Sequence, residues 1–167
     1  MEKSGFFNSS GGDRVYDAAD FAGYFAKLVT NGIFYADTNN LKVTASDGIH
    51  ISVAPGSAWI KGYAYENTQP LELVLATANG VYPRIDRVVL RLSAVDRSIT
   101  LAIKTGVPLD LPVAPSLTRT AEEYELGLAD VLVGKGVVSI TQDKITDTRL
   151  NSALCGTVNS LITAVYE

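Results

Sequence analysis

Apolar residues first recur at a helical spacing. Phe21, Tyr24, Phe25 and Leu28 fall at i, i+3, i+4 and i+7 and share one face of a helix. Asp17 is placed to cap its first turn, with Asp20 three positions on, and Tyr16 and Phe21 flank the cap at the spacing of a hydrophobic staple. Asn31-Gly32 supplies a stop. The pattern predicts a helix over 18–30. After Gly32 the period falls to two. Leu41, Val43 and Ala45, a turn at Ser46-Asp47-Gly48, and then Ile49, Ile51 and Val53 predict a hairpin. Short strands are predicted at 58–60, 63–66 and 71–75, and longer ones at 84–92 and 98–104.

Pro108, Pro112 and Pro115 each fix φ and remove a backbone donor, so 106–118 reads as an extended crossing loop. Thr120 and Glu123 have capping-box spacing, but Gly127 and the alternation of Tyr124, Leu126 and Leu128 favour a turn and then a strand from about Glu125. A further strand is expected at 137–140 and a turn with a short helical piece at 141–147. Leu154, Val158, Leu161 and Val165 would line one side of a terminal helix. One helix followed by many short strands predicts a mainly β fold, an antiparallel β-sandwich or barrel-like domain with one N-terminal α-helix. The organisation expected is a flexible arm over 1–14, a helix-plus-sandwich module over 15–150, and a tail or fibre connection over 151–167.

Composition narrows the function. The chain has 167 residues, 47% of them hydrophobic, with 14 Lys+Arg against 18 Asp+Glu. That suits one domain with a real core, and the mild acidity argues against general nucleic-acid binding. One cysteine, Cys155, allows no internal disulfide, and one histidine, His50, no two-histidine metal motif. No apolar run reaches the roughly 20 residues of a membrane span, and the first residues do not read as a secretory signal. No phosphate-binding loop, dinucleotide fingerprint, zinc-protease or serine-hydrolase motif is present, so neither a cofactor nor enzymatic activity is expected. His50 reads as a surface residue on the polar side of its strand.

Three groups of side chains remain as candidates. Phe21, Tyr24, Phe25 and Leu28 are either an oligomer or partner interface or a cover for the chain's own sheet. Trp59, Tyr63 and Tyr65 either bind glycan or pack against the helix aromatics. Asp86 and Asp130 interrupt apolar strands and must be paired if buried, with Arg87, Arg91 and Arg149 as partners. Structural ion pairing of Asp86, Arg87, Asp130, Asp147 and Arg149 is the expectation, and a glycosidase carboxylate pair of Asp86 and Asp130 is the competing reading.

An ordered series of segments carries a resemblance. VYDAADFAGYF at 15–25 is followed by NGIF at 31–34, VAPGSAWIKGYAY at 53–65, RIDRVVLR at 84–91, YELGLADV at 124–131, ITQ at 140–142 and ITDTR at 145–149. Over about residues 5–158 the chain resembles the structural module of tail and baseplate proteins of phages and prophages of Gram-positive bacteria, often the N-terminal part of a receptor-binding or tail-fibre protein. In organisation it is also similar to the shoulder domain of lactococcal phage receptor-binding proteins, a helix and β-sandwich that trimerises and docks on the baseplate. Related chains often continue past Cys155-Gly156 into a fibre or head, whereas this sequence stops at Glu167. The resemblance implies a non-enzymatic structural part of the virion tail, an adaptor for receptor-binding proteins. Its expected partners are itself, as a homotrimer, and other tail or baseplate proteins. A carbohydrate-binding module recognising host cell-wall polysaccharide is the alternative.

Overall fold

The structure, a computed structural model, describes residue 2 and residues 4–162. Its elements are α1 (Ala18–Phe25), β1 (Gly32–Ile33), β2 (Val43–Ala45), β3 (His50–Val53), β4 (Gly56–Ile60), β5 (Tyr63–Asn67), β6 (Leu71–Val74), β7 (Arg84–Ser93), β8 (Ser98–Lys104), β9 (Glu123–Val133), a 3-10 turn (Gln142–Lys144) and β10 (Ile145–Asp147). The strands form three antiparallel sheets in the orders β1-β4-β5, β2-β3-β6 and β10-β9-β7-β8, sandwich-like and not closed into a barrel.

One core joins all three sheets. Ile33, Ile60, Ile51, Val53, Leu90, Leu126 and Val131 are among its buried side chains. Alternation selects them: Val88, Leu90 and Leu92 of β7 point inward together, and Ile103, Leu101 and Ile99 of β8 stand opposite them in register. A bulge between Val88 and Val89 lets β9 pass Leu128 without losing its pairing on either side.

The helix is shorter than the aromatic periodicity predicts. Asp17 and Asp20 form the reciprocal capping box, so the start is where the sequence places it. The helix proper stops at Phe25, and the chain tightens through Lys27 N–H to Tyr24 O and Leu28 N–H to Phe25 O. Thr30 and Ile33 are then drawn away by the C-terminal segment. Thr30 N–H donates to Asn159 O at 2.9 Å, Ile33 N–H to Gly156 O at 3.0 Å, Val158 N–H to Ile33 O at 2.9 Å and Leu161 N–H to Leu28 O at 2.8 Å. That pairing overturns the expected terminal helix: over 151–162 the chain makes turns and isolated bridges. Val165, assigned to that helix, lies outside the described residues.

The expected strand at 137–140 does not form either. Ile140 is buried and donates its N–H to Gly48 O, while Val138 stays in water. One side chain plugs the core there, and among the described residues no strand pairs with it. The crossing loop is as expected, and Thr120 and Glu123 close a turn that opens directly into β9.

Candidate functional site

Aromatic rings gather where α1 meets the β1-β4-β5 sheet. β4 and β5 are joined by Lys61 (φ 48°) and Gly62 (φ 82°), a two-residue turn with both residues left-handed, which suits the twist of a hairpin. Gly62 also lies directly under the helix. A Cβ there would collide with the carbonyl of Ala22, the buried residue of α1. The helix therefore sits down by a small-residue contact and turns its aromatic side outward.

The outward rings form a continuous series. Phe25 meets Trp59 edge to face at 5.4 Å, and Phe34 meets the same indole at 6.2 Å. Tyr24 touches Phe25 at 6.0 Å. Phe6, from the N-terminal arm, packs against Tyr24 at 5.0 Å, Tyr16 at 5.6 Å and Phe21 at 5.7 Å, so it is inserted where a direct Tyr16–Phe21 staple is expected. Phe6, Phe21, Tyr24, Phe25 and Phe34 are each 40–50% exposed. Together they leave on the order of 450 Å² of aromatic surface in water, about the size at which such patches are functional. Trp59 is half-buried, and its Nε1–H is enclosed without an acceptor. Leu28 is half-buried at the end of the series.

The helix aromatics divide between two surroundings. Phe25 covers the chain's own sheet at Trp59, and Phe21 and Tyr24 face outward under the arm. Phe6 and Phe34 were not singled out in the sequence. Adjacent aromatics at Phe6-Phe7 within a polar, glycine-rich arm were the available signal for the first.

The glycan group does not assemble. Trp59 stands opposite Ala64, whereas Tyr63 stands opposite Ile60 and Tyr65 opposite Ala58. Cross-strand partners share a face, so Trp59 lies on the opposite face from both tyrosines. Burial of Tyr65 raises its phenol pKa. Tyr63 lines a separate open cleft of about 660 Å³ with Asp17, Ala18, Ser93, Arg97 and Ile99.

The carboxylates are structural clasps. Asp86 is fully buried and receives the Arg84 guanidinium at 2.9 Å and the Gly106 N–H at 2.8 Å, and Arg84 reaches on to the carbonyls of Ala76 and Thr77. Arg87 holds Asp130 at 2.6 and 2.8 Å and donates to Pro115 O. Arg149 holds Asp147 at 2.7 Å and donates to the carbonyls of Thr38 and Asn40. Each arginine is fixed by an acid and ties an irregular loop to the sheet, satisfying backbone acceptors that no strand pairs. Burial pushes the Asp147 carboxyl up, but the Arg149 hydrogen bonds outweigh it and hold it below the usual range.

Asp86 pairs in register with Val131, and Arg87 with Asp130. Asp86 and Asp130 therefore project from opposite faces of one sheet and cannot flank one glycosidic bond. The sequence reading missed Arg84, although it lies two residues before Asp86 and so on its face, and missed the buried Glu125. The Glu125 carboxylate accepts from Lys104 Nζ at 2.6 Å, Arg91 Nε at 2.9 Å and the Thr118 N–H at 2.6 Å. Burial raises its pKa, but these donors together outweigh burial and hold it below normal.

Among the described residues, no three His, Cys, Asp or Glu side chains gather closely enough to share a metal ion, and no helix is long and apolar enough to cross a membrane. Compared with protein-family models, with curated proteins and with solved structures, the chain finds no match.

Proposed function

We propose that this chain is a structural assembly module of a phage or prophage tail or baseplate. It acts as an adaptor that positions receptor-binding proteins and works as a homotrimer in the virion tail. The observation that carries the reading is the aromatic surface of Phe6, Phe21, Tyr24, Phe25 and Phe34, held at fixed geometry on a clasped β core. Exposed rings in contact with one another are costly in water, and a partner surface removes that cost. The order of sequence segments supports the tail setting, and the arginine clasps suit a part whose work is to keep its shape.

Particles released from the producing bacterium test this. Antibody-labelled electron microscopy is expected to place the chain at the tail tip, and mass spectrometry to find it in purified particles. Its presence in the lysate with absence from particles overturns the reading. Cell-wall glycan recognition is a weaker second reading, because Trp59 faces away from Tyr63 and Tyr65. Only the cleft beside Tyr63 favours it.

A further inference from the structure

The outer edge of the four-stranded sheet is β8, which pairs with β7 alone. Which of its backbone groups face outward follows from the next ladder. Ala94 N–H donates to Glu122 O at 2.7 Å, one step past the Ser93–Glu123 pair. Alternation then turns the backbone of Leu92 and Leu90 to β9 and that of Ser93, Arg91 and Val89 to β8. Glu125, opposite Arg91, agrees, since its N–H leaves β7 and donates to Thr118 O. In β8, Ser98, Thr100 and Ala102 therefore direct their N–H and C=O groups to β7. Those of Ile99, Leu101 and Ile103 point away from the sheet, and among the described residues none of them meets a partner.

The other edges carry protection that β8 lacks. Residues 156–158 bond to β1, β2 and β10 have three residues each, and β5 and β6 carry the exposed Glu66 and Glu72. Such devices keep sheet edges from pairing with one another. β8 has seven residues, SITLAIK, with neither proline nor bulge. Its one charge is turned back onto the sheet, where Lys104 Nζ is held by the Glu125 carboxylate at 2.6 Å and by Thr118 Oγ1 at 3.0 Å. Ile99, Leu101 and Ile103 share the core-side face and are only half-buried. Ser98 and Ile99 also border the open cleft of about 660 Å³, so the space beside that end of the strand is free.

We propose that β8 of a second copy pairs antiparallel along this edge, joining the two four-stranded sheets across a two-fold axis at Leu101. The strand is its own complement. With Leu101 facing Leu101, Ile99 meets Ile103, Thr100 meets Ala102 and Ser98 meets Lys104 of the other copy, so apolar side chains adjoin and no like charges are opposed. The same register sets the outward N–H and C=O groups of Ile99, Leu101 and Ile103 against one another as hydrogen-bonded pairs and leaves none of them unmet. A slip of one residue loses both matches. An edge of seven residues is small beside a stable interface, so the pairing depends on concentration. It goes beyond the assembly reading above and uses neither the helix aromatics nor a three-fold state.

Amide exchange by nuclear magnetic resonance on the intact chain, read beside sedimentation, tests this. As the protein is concentrated and pairs form, the amides of Ile99, Leu101 and Ile103 should slow about 100-fold, while those of Thr100 and Ala102 are slow throughout. Thr100 is exposed, and Thr100→Lys and Thr100→Glu each set like charges diagonally across the two-fold axis. Each variant alone should keep the three amides open. An equimolar mixture of the two should close them again, a rescue that a folding defect would not show. Three amides open at every concentration overturn the pairing of copies and leave the edge to a foreign strand. Slow exchange in a species that sediments as a monomer, or slow exchange that persists in both variants, overturns it as well. Association that leaves these amides open places the contact elsewhere and overturns the pairing, with the tail reading still standing on its particle test.

Discussion

Replacing Arg84 by methionine isolates what a clasp contributes. Arg84 is 3% exposed and Asp86 fully buried, so Arg84→Met leaves a carboxylate in the core with only the Gly106 N–H for company. The Ala76 and Thr77 carbonyls belong to exposed residues and can turn to water, so the penalty comes mainly from the orphaned charge. Breaking a buried pair from one side costs about 3–5 kcal/mol. For a chain of this length that is a fall in Tm of about 6–20 °C. The double variant Arg84→Met/Asp86→Leu removes the charge as well. It loses one acceptor for Gly106, about 1–3 kcal/mol, and should be more stable than Arg84→Met alone. Urea and thermal unfolding of the parent, both singles and the double give the coupling energy. A loss below about 1 kcal/mol for Arg84→Met, or a double variant equal to the sum of its singles, would refute the clasp argument.

Other expectations are briefer. Gly62→Ala adds a Cβ against Ala22 in a left-handed backbone and should cost about 2–4 kcal/mol, with faster amide exchange across α1; unchanged exchange would mean that the helix is not seated there. Glu125 titrates lower in the folded protein than its ordinary 4.5. The unfolded chain therefore takes up the proton first, and stability falls as pH drops below that value and through the folded pKa. Glu125→Gln should be less stable at neutral pH and show a shallower acid slope, read from urea midpoints between pH 6 and about 3; a slope as steep as the parent's counts against it. Burial pushes the Cys155 thiol up to about 12 from 9.0, so its contribution to stability is full below 9.0 and is lost as pH rises toward 12. Ellman's reagent at pH 8 should label it only as fast as the protein unfolds, and rapid labelling of the native chain would contradict its burial.

The strands were legible because period-two alternation reports burial directly, and β7 and β8 fall where Val88, Leu90, Ile99 and Leu101 require. What the sequence concealed came from distant pairing. The aromatic spacing through Leu28 continues past the helix end because residues 157–161 claim the backbone of residues 28–33. Leu154, Val158 and Leu161 mimic a helical stripe for the same reason. The ion pairs were half legible. Arg84 and Asp86 share a face by parity within β7, whereas Arg149 lies past the end of β10 and reaches Asp147 from a turn. Of the two readings for Trp59, packing against the helix aromatics is the one its geometry fits. A two-residue turn at Lys61-Gly62 sets Trp59 opposite Ala64, and that register places it with the helix.

The zipper between residues 156–161 and 28–33 has a mechanical consequence. A force applied beyond Leu161 would load these backbone hydrogen bonds in sequence, Leu161 first and Gly156 last. Opened in that order, the segment would give way one bond at a time and not all at once.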